Sequence, residues 1–80
     1  MTETEKQVLS VLNEVVTLPK GTDRTLELKT LHLDSLDLVE LAMKLEETFE
    51  NLTVDDSLSQ NWQTVSDIID FVEEANGGSN

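Results

Sequence analysis

Apolar residues lie on two sides of a single predicted helix in the stretch DSLDLVELAMKLEETFE, residues 34–50. At about 100° per residue, Leu38, Leu41, Ala42, Leu45 and Phe49 form one stripe, as a core-facing helix requires. Leu36, Val39 and Met43 fall on the other side, among Glu40, Glu46, Glu47 and Glu50. The first helix is simpler. Over residues 3–16, Val8, Leu9, Val11, Leu12, Val15 and Val16 share one face, with Ser10, Asn13 and Glu14 opposite. Thr2 or Thr4 caps its start and Pro19 and Gly21 stop it.

From Thr17 to Leu33 the pattern predicts a long loop, pinned to the core by Leu26, Leu28, Leu31 and Leu33. Its segment LELKTLHL alternates like a strand but has no second strand to pair with, so it reads as packed loop. Asp55 or Asp56 caps a short helical turn that points Leu58 and Trp62 inward. The last helix starts at Thr64, with Asp67 three residues on as an imperfect capping box, and carries Val65, Ile68, Ile69 and Val72 as its stripe. The terminal NGGSN stops that helix. The expected fold is all-α: a small four-helix bundle of three main helices and one short one, with a long first loop. One domain spans residues 1–76, and 77–80 form a flexible tail.

Composition narrows the function. Eighty residues support one modest core. Seventeen acids against five bases give a net charge of −12, which repels nucleic acid and anionic membranes and suits partners with basic patches. The same repulsion opposes compactness, so salt is expected to stabilise the chain. The absence of cysteine excludes disulfides and thiolate metal sites, and a lone His32 excludes a conventional zinc cluster. The N-terminal residues lack the pattern of a secretory signal and no apolar run is long enough to span a membrane, so the expected setting is cytoplasmic.

Ser35 carries the candidate chemistry. In one reading it is an N-cap, since Ser and Asp are both favoured there. In the other, its hydroxyl is a site for a phosphoester, because free N–H groups and the helix dipole stabilise an anion at that place. The second apolar stripe is equally open on helical geometry alone. The first loop could cover Leu36, Val39 and Met43, or a partner could read them as an apolar strip rimmed by acids.

From Asp34 to Phe49 the sequence resembles the prosthetic-group helix of acyl carrier proteins: Asp-Ser-Leu, the acid at Asp37, Val39-Glu40-Leu41, Met43, Leu45-Glu46-Glu47 and Phe49. The element order and the closing TVSDIIDFV agree, so the similarity covers nearly the whole chain. The resemblance implies a 4′-phosphopantetheine arm attached to Ser35, transferred from coenzyme A by a phosphopantetheinyl transferase. Asp34 would help place the magnesium that enzyme and coenzyme hold, and would orient the serine. Leu36 would contact the arm. Asp37, Glu40, Glu46 and Glu47 would face basic patches on the transferase and on acyl-processing enzymes of ketosynthase, acyltransferase or ligase type, with Val39 and Met43 as the apolar part of that surface. The protein would be a monomer that presents acyl groups as thioesters without catalysis, for fatty-acid, polyketide or specialised lipid synthesis. Leu41, Leu45, Phe49, Ile68 and Val72 would be candidate walls for a folded-back cargo.

The chain departs from the family pattern in places. His32 stands where a glycine is common, NLTVDD lacks the usual isoleucine-proline, Lys44 breaks the acidic run and Trp62 is unusually bulky. These departures favour a dedicated carrier over a housekeeping one. A hydrolase built on Ser35, His32 and Asp34 fails because near-adjacent residues do not converge as nucleophile, base and orienter. No EF-hand spacing is present. The alternatives that stand are an unmodified acidic interaction module and an aminoacyl or peptidyl carrier.

Overall fold

A computed structural model describes residues 2–75. Four α-helices run in the order α1 (Glu3–Val15), α2 (Ser35–Thr48), α3 (Asp56–Asn61) and α4 (Val65–Ala75), with a 3₁₀ turn at Leu28–Leu31 inside the long first loop. This is the small helical bundle the periodicity predicts. The expected tail at 77–80, together with Asn76, lies outside the described residues.

Each helix start is set by a short polar side chain that satisfies N–H groups the helix itself leaves free. At α1 the capping box pairs Thr2 with Glu5: the Glu5 N–H donates to Thr2 Oγ1 (3.2 Å) and the Thr2 N–H to Glu5 Oε1 (2.9 Å). Asp55 caps α3, accepting from the Leu58 N–H at 2.9 Å. At α4 the imperfect Thr64–Asp67 box forms in both directions, and Asp67 Oδ2 also takes the Gln63 N–H at 2.8 Å.

The stripes meet in one core. Leu12, Leu41, Leu45, Ile68, Ile69 and Val72 are wholly excluded from solvent, and Phe49, Leu52 and Val54 extend the core beneath the α2–α3 connection. Glu46 holds that connection, because its Oε2 accepts the Val54 N–H at 2.7 Å.

The first loop is more ordered than its sequence suggests. Leu28 is buried, and Leu26, Leu31 and Leu33 pack partly against the core. LELKTLHL does find a pairing partner: Glu27 forms an isolated antiparallel bridge with Thr64 in the linker before α4. The Leu28 N–H donates to the Gln63 carbonyl at 2.8 Å and the Val65 N–H to the Leu26 carbonyl at 3.0 Å. Local alternation could not show this, because the pairing partner is not a strand. Leu58 is a second correction. It is 39% exposed instead of pointing inward, since the single short turn of α3 buries Ser59 in its place.

Arg24 ties three parts of the chain together. Its guanidinium reaches Glu5 on α1 and Asp70 on α4 at 2.7 Å each, and donates twice to the Ser66 hydroxyl at 3.2 Å. Arg24 is 39% exposed, so solvent screens part of this network. Arg24→Met is expected to cost about 1–2 kcal/mol of stability, read as a lower urea midpoint, with partial recovery in Arg24→Lys. An unchanged midpoint would contradict this role.

The caps also set the acid response. The Thr2 N–H first, and the Arg24 charge after it, hold Glu5 below its ordinary 4.5. The Thr25 hydroxyl and N–H lower Asp23, and the Leu58 N–H with the Ser57 hydroxyl lower Asp55, each from 3.8. A carboxyl with a lowered folded-state pKa stabilises the fold above its unfolded value and loses that contribution as pH falls through the folded one. Charge repulsion at −12 acts the other way and eases as acids are neutralised. Thermal stability should therefore rise as pH drops from 7, then fall as pH passes below 3.8. A monotonic rise into strong acid would contradict the contribution of the caps.

Candidate functional site

The start of α2 separates the two residues that the sequence left interchangeable. Asp34 is the N-cap: its Oδ1 accepts the Asp37 N–H at 2.9 Å and its own N–H donates to Asp37 Oδ2 at 3.3 Å. Ser35 is the first helical residue, exposed, and its hydroxyl has no hydrogen-bond partner among the described residues. The capping explanation of Ser35 therefore fails, because Asp34 already does that work. The N–H groups of Ser35 and Leu36 have no partner among the described residues, since the Asp37 N–H goes to the cap side chain and the Leu38 N–H to the Asp34 carbonyl at 3.1 Å. An uncommitted hydroxyl beside two unpaired N–H groups at the positive end of a helix fits a phosphoester. The second oxygen of Asp34 has no partner among the described residues.

The approach to this site is bent by His32, which sits in the left-handed region at φ 57°, ψ 39°. Its N–H closes the 3₁₀ turn on the Lys29 carbonyl at 3.2 Å. A left-handed conformation costs an L-residue roughly 1–2 kcal/mol, which is why glycine suits the position. Glycine in turn adds freedom to the unfolded chain, worth about 0.4–1 kcal/mol. His32→Gly should thus raise stability by up to about 1 kcal/mol, while His32→Val should lower it. Thermal melts showing the reverse order would contradict this.

Beyond Ser35 the second apolar stripe is open to solvent. Leu36 is 78% exposed and Met43 56%, with Val39 half-buried between them. The first loop does not cover them. Glu40 and Glu47 are exposed on the same helix, and Asp37 is half-buried in the capping box. Glu46 turns one oxygen toward the Val54 N–H, so it braces the helix as well as bearing charge. Lys44 lies 3.4 Å from Glu14 of α1, which withdraws the one positive charge from the acidic face.

Sequence reasoning missed a half-open cleft of about 470 Å³ beside this helix start. Its walls are Glu27, Leu28, Lys29, Leu33, Leu38, Trp62, Gln63 and Thr64, from the first loop, the first turn of α2 and the linker before α4. Trp62 is set there by packing on Phe71, with ring centroids 5.8 Å apart and planes tilted by 56°. The candidate cargo walls named from sequence are instead tightly packed, Leu41, Leu45, Ile68 and Val72 at 0% exposure and Phe49 at 6%. Only the bulk of Trp62 signalled the cleft in the sequence. No described helix is long and apolar enough to cross a membrane.

Comparison with known proteins agrees with this geometry. The profile of the family described as a phosphopantetheine attachment site matches residues 6–72. Acyl carrier protein 1, chloroplastic, of Hordeum vulgare is 40% identical over 74 residues, covering 90% of this chain and 49% of its own length. The chain thus spans about half the length of the chloroplastic relatives it matches. The acyl carrier protein of Exiguobacterium sibiricum is 33% identical over 76 residues, covering 88% of this chain and 95% of its own. The solution structure of the acetyl actinorhodin acyl carrier protein from Streptomyces coelicolor shares the fold, with a TM-score of 0.74 at 22% identity, over 100% of this chain and 95% of that one. The chain belongs to the acyl carrier protein family, whose members are carriers with a covalent 4′-phosphopantetheine and not enzymes.

Proposed function

We propose that Ser35 is the attachment point of the 4′-phosphopantetheine arm and that the protein carries acyl groups between biosynthetic enzymes. The observation that supports this most is the uncommitted, exposed Ser35 hydroxyl at the first position of α2, with Asp34 relieving it of the cap. When bound, the group supplies a terminal thiol that holds the acyl cargo as a thioester.

The chain's own residues do the rest. The Ser35 Oγ is the nucleophile presented to the transferase, and the free N–H groups of Ser35 and Leu36 face the incoming anion. Asp34 fixes the helix start through one oxygen and offers the other to a cation brought by the enzyme and coenzyme. Leu36, Val39 and Met43 form the apolar contact for phosphopantetheinyl transferase and for acyl-processing enzymes of ketosynthase, acyltransferase or ligase type. Asp37, Glu40, Glu46 and Glu47 surround that contact with charge that orients a basic partner. A cytoplasmic setting belongs to the same reading, supported by bacterial relatives of nearly equal length.

The experiment that tests carriage is loading from acetyl-coenzyme A by a broad-specificity transferase with magnesium, followed by hydroxylamine. The reading predicts an added acyl group that hydroxylamine removes while the arm stays. An addition that hydroxylamine leaves untouched would oppose thioester carriage.

A further inference from the structure

The cleft beside Ser35 differs in character from the bundle core. Leu33 and Leu38, which line it, stand two residues before and three after Ser35, so an arm attached to Ser35 starts beside the cleft and its acylated end reaches the cleft by folding back. Its apolar part is the larger one: these leucines, Leu28 and the Trp62 indole. The rest is polar, with Glu27 and Lys29 paired at 3.5 Å on the rim and Gln63 exposed beside them. The bundle interior offers no comparable polarity, since Leu12, Leu41, Leu45, Ile68 and Ile69 are at 0% exposure.

Hydrogen-bond supply points the same way. The Trp62 indole N–H and the Gln63 side-chain amide have no partner among the described residues, and Lys29 is a third donor, 81% exposed. Indole can only donate, so its complement is an oxygen acceptor. A saturated chain would cover Trp62 and Gln63 without offering one, at the cost of their hydration.

We propose that Trp62 is a specificity-determining residue: with Gln63 it makes this cleft select short acyl groups that carry a further carbonyl oxygen over saturated chains. This rests on attachment at Ser35. The shared chemistry is a carbonyl acceptor, which the arm's own amides also possess, so the test separates the two sources.

The chain would be loaded from coenzyme A (arm alone) and from butyryl-, acetoacetyl- and octanoyl-coenzyme A, with each product verified by mass. Proton–nitrogen correlation spectra would then follow the single indole N–H and the backbone amides of Leu33 and Gln63. The acetoacetyl form should show the largest shifts relative to the arm alone, butyryl smaller ones, and octanoyl no more than butyryl. In Trp62→Phe, which keeps a ring but removes the donor, the Leu33 and Gln63 shifts of the acetoacetyl form should fall to the butyryl level. Shifts of the same size in the arm-alone form, measured against the unmodified chain, with no further change on acylation, would place the arm's amides in the cleft and overturn the proposal. Largest shifts with octanoyl, or undiminished discrimination in Trp62→Phe, would overturn it as well. No mass increase on loading would overturn attachment at Ser35, and the proposal with it, before any spectrum is recorded.

Discussion

Ser35→Ala is expected to abolish attachment of the prosthetic group while leaving the fold intact. The loss should be complete, because the transfer needs an oxygen nucleophile and alanine has none. The stability change should stay within about 0.5 kcal/mol, as for an exposed residue without special partners, because Asp34 caps the helix and the Ser35 hydroxyl has no partner among the described residues. Asp34→Ala is the informative contrast. It removes the cap and should cost about 0.5–2 kcal/mol while also slowing modification. Circular dichroism melts beside intact-protein mass spectra check both parts. A modified Ser35→Ala chain would remove the site assignment, and a large destabilisation would show a packing role for the hydroxyl.

Reversing Glu40 and Glu47 to Lys should lower the transferase's kcat/KM by about 10–100-fold at low ionic strength, within the range by which steering accelerates encounter. Both carboxylates are exposed on the helix that carries Leu36 and Met43, so the change acts on the approach of a basic partner and not on the core. Each reversal changes the charge by two units, taking the chain from −12 to −8, so folding should be unharmed or improved. Salt should narrow the difference between variant and parent, since exposed charges are screened within about 10 Å at 0.1 M. Leu36→Ala with Met43→Ala should reduce the rate at every salt concentration, because apolar contact is insensitive to screening. Unchanged rates for the charge reversals at low salt would remove the docking role from this face.

The parts of this protein that the sequence made legible are those set by local rules. Helical periodicity placed Leu41, Leu45, Ile68 and Val72 in the core and left Leu36 and Met43 outside it, as the structure shows. The Thr64 cap was readable for the same reason, and those of α1 and α3 were narrowed to Thr2 or Thr4 and Asp55 or Asp56, of which Thr2 and Asp55 take the role. The start of α2 was readable in outline, but two adjacent polar residues both suited the cap, and only the backbone shows Asp34 taking it.

Long-range features were not readable. Arg24 gathers Glu5, 19 residues before it, with Ser66 and Asp70, 42 and 46 residues after it, and its only sign was to be the lone arginine in an acidic chain. The Glu27–Thr64 bridge pairs an irregular loop with a linker, so neither side has strand periodicity to reveal it. Leu58 was expected inward because it is apolar and follows a cap, yet six residues of helix turn it partly to solvent. The cleft forms from three separate segments, and only their assembly brings Trp62 beside Leu33 and Leu38.

The most direct measurement of the central claim is residue-level localisation of the prosthetic group. The chain would be incubated with coenzyme A, magnesium and a broad-specificity phosphopantetheinyl transferase, then digested and sequenced by tandem mass spectrometry. The account predicts one phosphopantetheinyl group, on Ser35 and on no other serine. A group found on another residue would contradict the site, and none while a control carrier is modified alongside would contradict carriage itself and leave an unmodified acidic interaction module as the better description.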